Sequence, residues 1–500
     1  MSTEYKSKLA FRLSQFKNFM KIFFRSKRAI VGMGILAFYI ILAVAAPVIA
    51  PTSPYERYVA GDYAFPTWLK YITGRPELYN ENFQITQDPH FDTLASLQPK
   101  YWNFSQTSPY FDLLWNGTAG SESGPGCAQI LFDRPGSTPE GTVQAELISS
   151  FNYKSINPPK RFLATIAIKL DGTENIREAQ LAVFIRRDSN ETILWTTQEI
   201  SSTGWKNPPY ALDSYESTIR VIVSGNLTQD AAAVIFSSPG IYTFGIRLTL
   251  IDEKTQPVNF SAYIDDLNLK LYGNTYGLLG TNHEGRDIFS QLVYGARISL
   301  FVGLLSAILS VFLGLIVGIV SGYVGGWLDE ILMRFTDALL VIPSLPLLLV
   351  LVAVLGSSIW NIIMIIGLLG WMGFARTVRS QTLSLKERPF IEAAKAAGAG
   401  TTHILTTHIL PNVMSLVYVS LALSVPSAIL SEAALSWLGL FDPLVVSWGR
   451  MLNEVQYNQG VDKPWWVIPP GISIALVSLS FILIGYALDE VLNPKLRQRR

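Results

Sequence analysis

The chain has 500 residues, a formal net charge of +1 and 15% charged residues. Its mean hydropathy of +0.29 is too high for a single soluble domain of this length and too low for a wholly embedded chain. Residues 52–280 carry 17 Lys and Arg against 24 Asp and Glu, so the rest of the chain carries the net positive charge. This separation gives no indication of nucleic-acid binding and is typical of a chain that lies in two compartments.

Cysteine and histidine are scarce. The single cysteine, Cys127, excludes an intrachain disulfide. The four histidines show no metal-ligand spacing with the cysteine or with one another, so no metal site is expected. Only His90 falls between residues 52 and 280, which leaves little for nucleophilic catalysis there. No catalytic residue is predicted.

The N-terminal segment 1–28 is basic, with eight Lys and Arg against one Glu. The apolar run that follows, over 29–51, is long enough to cross a hydrocarbon core of ~30 Å. A signal peptide would have a shorter apolar core and a small-residue cleavage site. We therefore predict a retained first transmembrane helix with its basic end in the cytoplasm.

Five further apolar runs follow, and with the first they predict six transmembrane helices. The runs cover 298–320, 338–355, 359–374, 413–430 and 467–487. With the N-terminus inside, the loop 376–411 and the basic tail 491–500 also lie inside, as the positive-inside rule requires. Residues 298–490 would then form a five-helix core, and residues 52–297 would be extracellular.

The third of these six spans has two local features. Pro343 and Pro346 are expected to bend it, because proline removes a helical hydrogen bond. Arg334 and Asp337, three positions apart on one helix face, are expected to form an ion pair at its cytoplasmic start.

The outer region 52–276 has the pattern of an inserted all-β domain. Alternating apolar stretches separated by turn residues predict strands at 164–170, 182–186, 192–196, 217–223, 234–236, 242–251 and 267–272. Strands at this spacing indicate a β-sandwich, with a weak likeness to a carbohydrate-module jelly roll, over roughly 140–275. Residues 52–140 are rich in Pro, Tyr, Asn and Gly and are expected to be irregular.

Five Asn-x-Ser/Thr sequons, the acceptor motif of N-glycosylation, occur in the chain. They begin at Asn103, Asn116, Asn190, Asn226 and Asn259. All five lie within 52–276, in agreement with an extracellular position for this region. We therefore predict a glycoprotein.

A first motif lies just before the second span. Gly285-Arg286-Asp287 precedes apolar residues at helical spacing, and Gly295 and Arg297 follow. The pattern predicts an amphipathic helix over 277–297 that lies on the outer membrane surface.

A second motif lies in the loop 376–411. An Ala-rich, charged segment ends at a glycine and is followed by a His-x-Leu-Pro sequence. Its characteristic residues are Glu392, Ala393, Ala394, Gly398, His408, Leu410 and Pro411. Ala, Glu and Lys favour a helix, glycine can end it, and proline fits the first turn of the next helix. We predict a short helix, a turn and a second helix at the cytoplasmic surface.

Both motifs, together with Ser447-Trp448-Gly449, resemble those of the C-type permeases of dipeptide and oligopeptide ABC importers. The resemblance covers 21–51 and 277–495 and implies a polytopic α-helical membrane protein with the type I ABC importer permease fold. It implies half of a translocation pathway, and an EAA loop around Glu392 that docks in a groove of an ATPase. The sequence departs from the family pattern at two places: Asn282 stands where the family usually has Asp, and Trp437-Leu-Gly-Leu-Phe441 stands where Phe-Leu-Gly-Leu-Gly is usual.

The resemblance also implies the partners. They are a sister permease subunit, two ATP-binding subunits and an extracellular substrate-binding protein, besides the lipid bilayer of the plasma membrane. No Gly-x-x-x-x-Gly-Lys-Ser/Thr phosphate loop occurs in the chain, so the partner subunits would bind ATP and Mg²⁺ and hydrolyse the ATP. The chain itself is expected to be a transport subunit, with no cofactor and no enzyme activity.

Other functions remain open beside peptide import. The same machinery would serve an importer of oligosaccharides, and a glycan-binding surface receptor would use the outer domain with the spans as its anchor. An anchor needs one helix, however, and not six with a docking loop. An enzyme in the outer region is the third alternative, because carboxylates are plentiful there.

Overall fold

The structure is a computed structural model, and it describes residues 17, 19–121, 124–172 and 175–492. Residues 1–16 and 18 of the predicted basic segment 1–28 lie outside the described residues. Residues 493–500 of the predicted tail 491–500 also lie outside them. The chain divides into two compact units. One is Glu56–Asp287, here called the β unit, and the other, the helical unit, comprises the residues on either side of it.

The helices of the described residues are α1 (Lys27–Val44), α2 (Ala46–Ile49), α3 (Leu69–Thr73), α4 (Ser217–Ser224), α5 (Ala231–Ile235), α6 (Ile288–Val324), α7 (Gly326–Val341), α8 (Ser344–Leu355), α9 (Ile359–Gly370), α10 (Met372–Lys386), α11 (Pro389–Ala396), α12 (Thr401–Ile404), α13 (Leu410–Trp437), α14 (Trp448–Tyr457) and α15 (Pro464–Leu492). The strands are β1 (Phe83–Gln84), β2 (Asn103–Gln106), β3 (Phe111–Asn116), β4 (Cys127–Arg134), β5 (Gly141–Tyr153), β6 (Arg161–Gly172), β7 (Glu178–Arg187), β8 (Asn190–Thr197), β9 (Leu212–Asp213), β10 (Gly240–Asp252) and β11 (Val258–Tyr272).

The helical unit contains the candidate membrane spans. Among the described residues, five helical stretches are long and apolar enough to cross a bilayer: α1, α6, α9 with α10, α12 with α13, and α15. A sixth exists if α7 and α8, which are bent by 91° at the break between them, count as one span. These helices indicate a multi-pass membrane protein.

The third predicted span differs from a continuous run over 338–355. Proline disfavours a helical conformation for the residue before it, and Ile342, before Pro343, has an extended backbone with ψ of 127°. The expected bend therefore lies at Pro343. The expected Arg334–Asp337 pair is wrong: Arg334 instead pairs with Glu330 at 3.1 Å, and Asp337 pairs with an arginine of α10.

The predicted interfacial helix over 277–297 is also corrected. Residues 277–287 are not helical, and α6 continues without a break from Ile288 for 37 residues. No proline or turn residue follows Arg297 to end the helix, so the amphipathic stretch becomes the first turns of the span.

Close backbone packing joins α6 to α10. Gly314, Gly318 and Gly322 lie one turn apart on α6, and a Cβ atom on any of them would come within 2.8 Å of a carbonyl oxygen of the facing segment. At Gly318 the distance to the Ala375 oxygen would be 2.6 Å. Small residues at this spacing let two membrane helices approach each other closely.

The β unit is a two-sheet sandwich, as predicted. The sheet orders are β3-β4-β11-β6-β9, with β1 also on β11, and β2-β5-β10-β7-β8. Large apolar side chains such as Phe132, Phe244 and Leu248 are fully buried in one core cluster. An ion pair also lies in this interior, because Arg134 Nε is 2.6 Å from the Asp252 carboxylate and both side chains are buried.

Three expectations about this unit need correction. The sandwich begins well before residue 140, because β2, β3 and β4 belong to its two sheets, so 52–140 is not irregular throughout. Residues 217–223, predicted as a strand, lie in α4, and the predicted strand 234–236 covers the end of α5 and its C-cap Phe236. Apolar runs this short do not distinguish strand from helix, and Gly225, with φ of +70°, ends α4 as a helical C-cap.

Candidate functional site

A cavity of about 410 Å³ lies within the helical unit. Residues of α6, α8, α9, α10 and α13 line it, and seven of them carry hydroxyl groups: Ser310, Ser344, Thr377, Ser420, Ser424, Ser427 and Ser431. The other described lining residues are apolar, and none is charged. The cavity therefore offers weak hydrogen-bonding groups without a fixed charge.

Four of these hydroxyls form a stripe on α13. Ser420, Ser424, Ser427 and Ser431 are separated by four, three and four positions, so they share one helix face. Polar side chains inside a membrane usually face the protein interior or a water-filled space. The sequence analysis missed this stripe, although the serine spacing within an apolar run was a readable signal.

A buried carboxylate lies at the next position along α13. Glu432 is 4% exposed, and its Oε1 accepts hydrogen bonds from Ser436 Oγ at 2.8 Å and Ser447 Oγ at 2.7 Å. The neighbouring Gly449 is packed so tightly that a Cβ would come within 2.7 Å of Ala433 Cα. Glu432 therefore ties the start of α14 to α13.

Trp448 completes this junction. Its indole Nε1 donates to the Leu292 oxygen at 2.9 Å, and its backbone N donates to Ser299 Oγ at 3.2 Å, both on α6. Its ring also packs edge-on against Tyr39 of α1. The Ser447-Trp448-Gly449 motif thus joins three spans to α14.

The outer motif residues are divided between the two units. Arg297, on α6, donates from Nε to the Ala43 oxygen at 2.5 Å and from Nη2 to the Val44 oxygen at 3.2 Å. A cation there is favourable because these are unpaired carbonyls at the C-terminal end of α1. Gly295 lies against the indole of Trp448, where a Cβ would be 3.0 Å from Cδ1.

Gly285, Arg286 and Asp287 belong to the β unit and shape the loop that precedes α6. Gly285 has φ of +65°, and a Cβ there would lie 2.5 Å from a backbone oxygen. Arg286 and Asp287 are buried. The departure at Asn282 is conservative, because its Oδ1 accepts from the backbone N of Glu284 and of Arg286 at 2.9 and 3.0 Å, as an aspartate would.

The segment 389–412 contains the second motif and forms a short helix, a turn and a longer helix, as predicted. Ile391 is the one buried residue of α11 and packs with a cluster that includes Tyr323, Leu385 and Val413. The remaining α11 residues, among them Glu392 and Ala393, are exposed or partly exposed. The helix is therefore held by a single buried apolar anchor. Its exposed residues Phe390 and Lys395 add contacts with the rings of His408 and Tyr323, and its other faces are presented to solvent.

The end of α11 needs the predicted glycine. Gly398 has φ of +82°, and its N donates to the Lys395 oxygen at 2.9 Å. The turn is closed by the Ala399 N, which donates to the Ala394 oxygen at 3.0 Å. This pattern is a helix C-cap that side-chain-bearing residues adopt at a cost.

The second helix of this segment starts with α12 and a π turn over Leu405–Ile409, and then continues as α13. Leu410 and Pro411 are the first two residues of α13. The backbone oxygen of His408 accepts from Asn412 Nδ2 at 2.6 Å.

Ion pairs join α7 to α10 immediately before this segment. Asp329 receives two hydrogen bonds from Arg379, both at 2.6 Å, and also contacts Ser321 Oγ. Asp337, also on α7, pairs with Arg376, which lies one helical turn before Arg379 on α10. The bidentate geometry of the first pair makes it the more rigid of the two.

The sequons lie on the β unit. Asn103, Asn190, Asn226 and Asn259 are exposed, and Asn116 is half-buried. The side chains of Asn116 and Asn226 accept hydrogen bonds from the threonines two positions later, at 3.2 and 3.0 Å. Four of the five amides are therefore accessible.

The described part of the β unit also brings together one group of side chains with metal-ligand character. It consists of His90, Asp265 and Asp266, which the sequence spacing did not indicate. The thiol of Cys127 is not a ready ligand, because burial and the charge of Asp265 raise the pKa of this thiol to about 11.

Two family descriptions match the chain. "N-terminal TM domain of oligopeptide transport permease C" covers residues 14–66, and "binding-protein-dependent transport system inner membrane component" covers residues 314–498. A dipeptide transport system permease protein, DppC, of Alkalihalophilus pseudofirmus is 41% identical over 220 residues, which are 44% of this chain and 72% of the relative. The chain is a binding-protein-dependent transport permease.

A second relative matches this permease at the same level of identity. The glutathione transport system permease protein GsiD of Shigella flexneri is 41% identical over 242 residues, covering 48% of the permease and 80% of the relative. Among solved structures, the inward-facing MetNI methionine ABC transporter aligns with 18% identity and a TM-score of 0.32, over 40% of the permease and 96% of that chain.

Members of this family are permease subunits and not enzymes, as the sequence analysis predicted. The two family descriptions leave residues 67–313 of the permease between them, and this interval contains most of the β unit.

Proposed function

We propose that the permease forms half of the membrane pathway of an ATP-driven importer for oligopeptides or dipeptides. The names of its relatives, which describe dipeptide and glutathione transport, support this cargo. The hydroxyl-lined cavity supports it as well, because neutral donors and acceptors suit peptide amides without selecting side-chain charge. Successive serines along α13 would give a moving peptide several weak sites.

The observation that carries this proposal is the exposure of α11 on a single apolar anchor. An amphipathic helix in a groove is a common mode of recognition, and the groove here would belong to an ATP-binding subunit. Glu392 would pair with a basic residue of that groove, and Ala393 and Ala394 would allow close approach because they are small. Gly398, His408, Leu410 and Pro411 would fix the turn that transmits the movement to α13.

The assembly would contain a sister permease subunit, two ATP-binding subunits and an extracellular substrate-binding protein. The ATP-binding subunits would hold ATP and Mg²⁺. The N- and C-termini would be cytoplasmic and the β unit extracellular, inserted after the first span. The accessible sequons of the β unit support this orientation, because glycosylation occurs outside the cytoplasm.

The test of coupling is a charge reversal at Glu392. In a complex reconstituted in liposomes, Glu392→Arg should abolish ATP-driven uptake of a labelled peptide while the permease stays membrane-bound. Glu330→Arg is the matched control, because Glu330 is an exposed glutamate on α7 whose pair with Arg334 is worth little. Normal uptake by Glu392→Arg, or equal losses in both variants, would contradict the coupling role.

Oligosaccharide import remains the second candidate, because a hydroxyl-lined cavity also suits sugar hydroxyl groups. Uptake of labelled oligosaccharide instead of peptide by the same complex would favour it. The receptor alternative requires neither ATP-binding subunits nor uptake. Recovery of the native permease in mild detergent without any ATP-binding subunit would therefore support a receptor over an importer.

A further inference from the structure

We infer that the β unit contains a binding site for a divalent cation of the zinc class, formed by His90, Asp265 and Asp266. The site goes beyond transport and does not depend on the proposed cargo. One His nitrogen and one oxygen from each aspartate lie within 4.8 Å of one another. Ligand atoms at about 2.0–2.2 Å from one cation are at most about 4.4 Å apart, so small side-chain movements would bring these three atoms onto one ion.

The site is formed where β11 is irregular. The pairing of β11 with β6 shifts register between Asp265 and Asn268, and Asp266 has φ of +56°. Thr165 Oγ1 donates to the Asp266 oxygen at 2.6 Å and holds this bulge in place. Bulges re-aim side chains that a regular strand would direct to opposite faces, so two adjacent aspartates can serve one site.

Asp265 is fully buried, and its carboxylate accepts from the backbone N of Ser121 at 2.8 Å and of Asp266 at 2.7 Å. Among the described residues, no Lys or Arg forms an ion pair with Asp265, and the next residue is a second carboxylate. A buried charge is costly unless it is paired or binds a metal. A cation would compensate the charge of Asp265.

His90 supplies the nitrogen ligand from a loop far away in the sequence. Its Nδ1 contacts the Asp266 carboxylate, although the two residues are 176 positions apart. The side chains of His90 and Asp266 are 39% and 24% exposed, so ions can reach them from solvent. Imidazole and carboxylate together suit zinc better than calcium, whose ligands are oxygen atoms.

Asn268 provides an independent indication of a ligand. It is 8% exposed, and its Oδ1 has no hydrogen-bond partner among the described residues. It lines a cavity of about 480 Å³ together with His90 and Asp266. Buried side-chain oxygens are rarely unsatisfied in proteins. This unsatisfied atom therefore indicates that the cavity beside His90 and Asp266 takes a ligand.

The experiment measures Zn²⁺ binding by the full-length protein in detergent. The protein is purified with a tag that contains no histidine, treated with EDTA and dialysed against Zn²⁺, and bound metal is measured by mass spectrometry. All proteins carry His403→Gln, because the rings of His403 and His408 lie 5.9 Å apart and could bind zinc by themselves. One Zn²⁺ per chain is expected.

The variants Asp266→Asn and His90→Gln should each weaken this binding at least about tenfold. Asparagine tolerates a positive φ, so the first variant removes the charge and preserves the bulge. Asp188→Asn is the matched control, because Asp188 also has a positive φ of 51° and is 85% exposed in a turn outside the site. It should bind Zn²⁺ like the unmodified protein.

Three results would overturn the inference: no bound zinc, equal binding by all variants, or binding of Ca²⁺ or Mg²⁺ in place of Zn²⁺. Thermal unfolding in EDTA shows whether each variant is folded. If Asp266→Asn is unfolded there, the partly exposed His90→Gln decides the question. Zn²⁺ should also raise the unfolding temperature of the Asp188→Asn control and leave that of the folded site variants unchanged.

Discussion

Truncation of the single anchor of α11 should release this helix while the spans stay folded. Ile391 is 0% exposed, and α11 has only eight residues, so the helix is too short to be stable without tertiary contacts. Removing a buried isoleucine side chain down to Cβ costs about 2–5 kcal/mol. Because every 1.4 kcal/mol is a factor of ten, Ile391→Ala should accelerate amide exchange in α11 by about 30- to 4,000-fold.

The assay is hydrogen–deuterium exchange with mass spectrometry on the full chain in detergent. Ile391→Val removes one methylene and should cost about 0.5–1.5 kcal/mol, which gives an intermediate exchange rate. Ile331→Ala is the control, because Ile331 is 56% exposed on α7 and its truncation should leave α11 unchanged. Unaltered α11 protection in Ile391→Ala would refute the view that one apolar contact holds this helix.

Three further changes test other parts of the chain. Gly318→Val should lower the free energy of unfolding in detergent by about 1–3 kcal/mol, because the new Cβ would lie 2.6 Å from the Ala375 oxygen where α6 packs on α10. Gly34→Ala is the control and should not destabilise the protein, because no atom lies within 4 Å of its Cβ. Arg297→Met should speed amide exchange at the C-terminal end of α1, and Arg297→Lys should restore part of the protection; equal exchange in both would contradict the capping role. The pKa of Cys127 is raised to about 11, above its ordinary value of 9.0, so the native thiol should stay protonated and resist iodoacetamide at pH 9, while rapid labelling before unfolding in SDS would contradict its burial. A raised acid pKa also means that the thiol's contribution to stability is present below pH 9 and decreases as the pH rises towards 11.

The features that the sequence could determine are local. Uninterrupted apolar runs located α1, α13 and α15, because a span must satisfy its own backbone hydrogen bonds along the chain. The short helix α11 and the glycine turn after it followed from helix propensity and from the conformational freedom of Gly398. The hairpin of β7 and β8 followed from alternation around a polar turn.

Features that depend on contacts between distant residues could not be predicted from local sequence patterns. The strands β2, β3 and β4 are short or flanked by irregular sequence, and their pairing with β5 and β11 gives them their conformation. The β-branched run in α4 has the composition of a strand, but intrinsic preference is weak for eight residues and tertiary packing overrides it. The sequence predicted two elements where α6 is one helix, because the amphipathic first turns of α6 differ in composition from its apolar remainder.

The sequence by itself determined that this chain crosses a membrane, which family it resembles and where the short helix α11 lies, because hydropathy and turn chemistry act over a few residues. Tertiary structure alone decided which side chains share a cavity and which share a cation site. The serines of α13 line a cavity only because residues of α6, α8, α9 and α10 lie around them. His90 and Asp266 meet only because the sandwich brings positions 176 residues apart into contact, and side-chain chemistry depends on distance in space and not on distance along the chain.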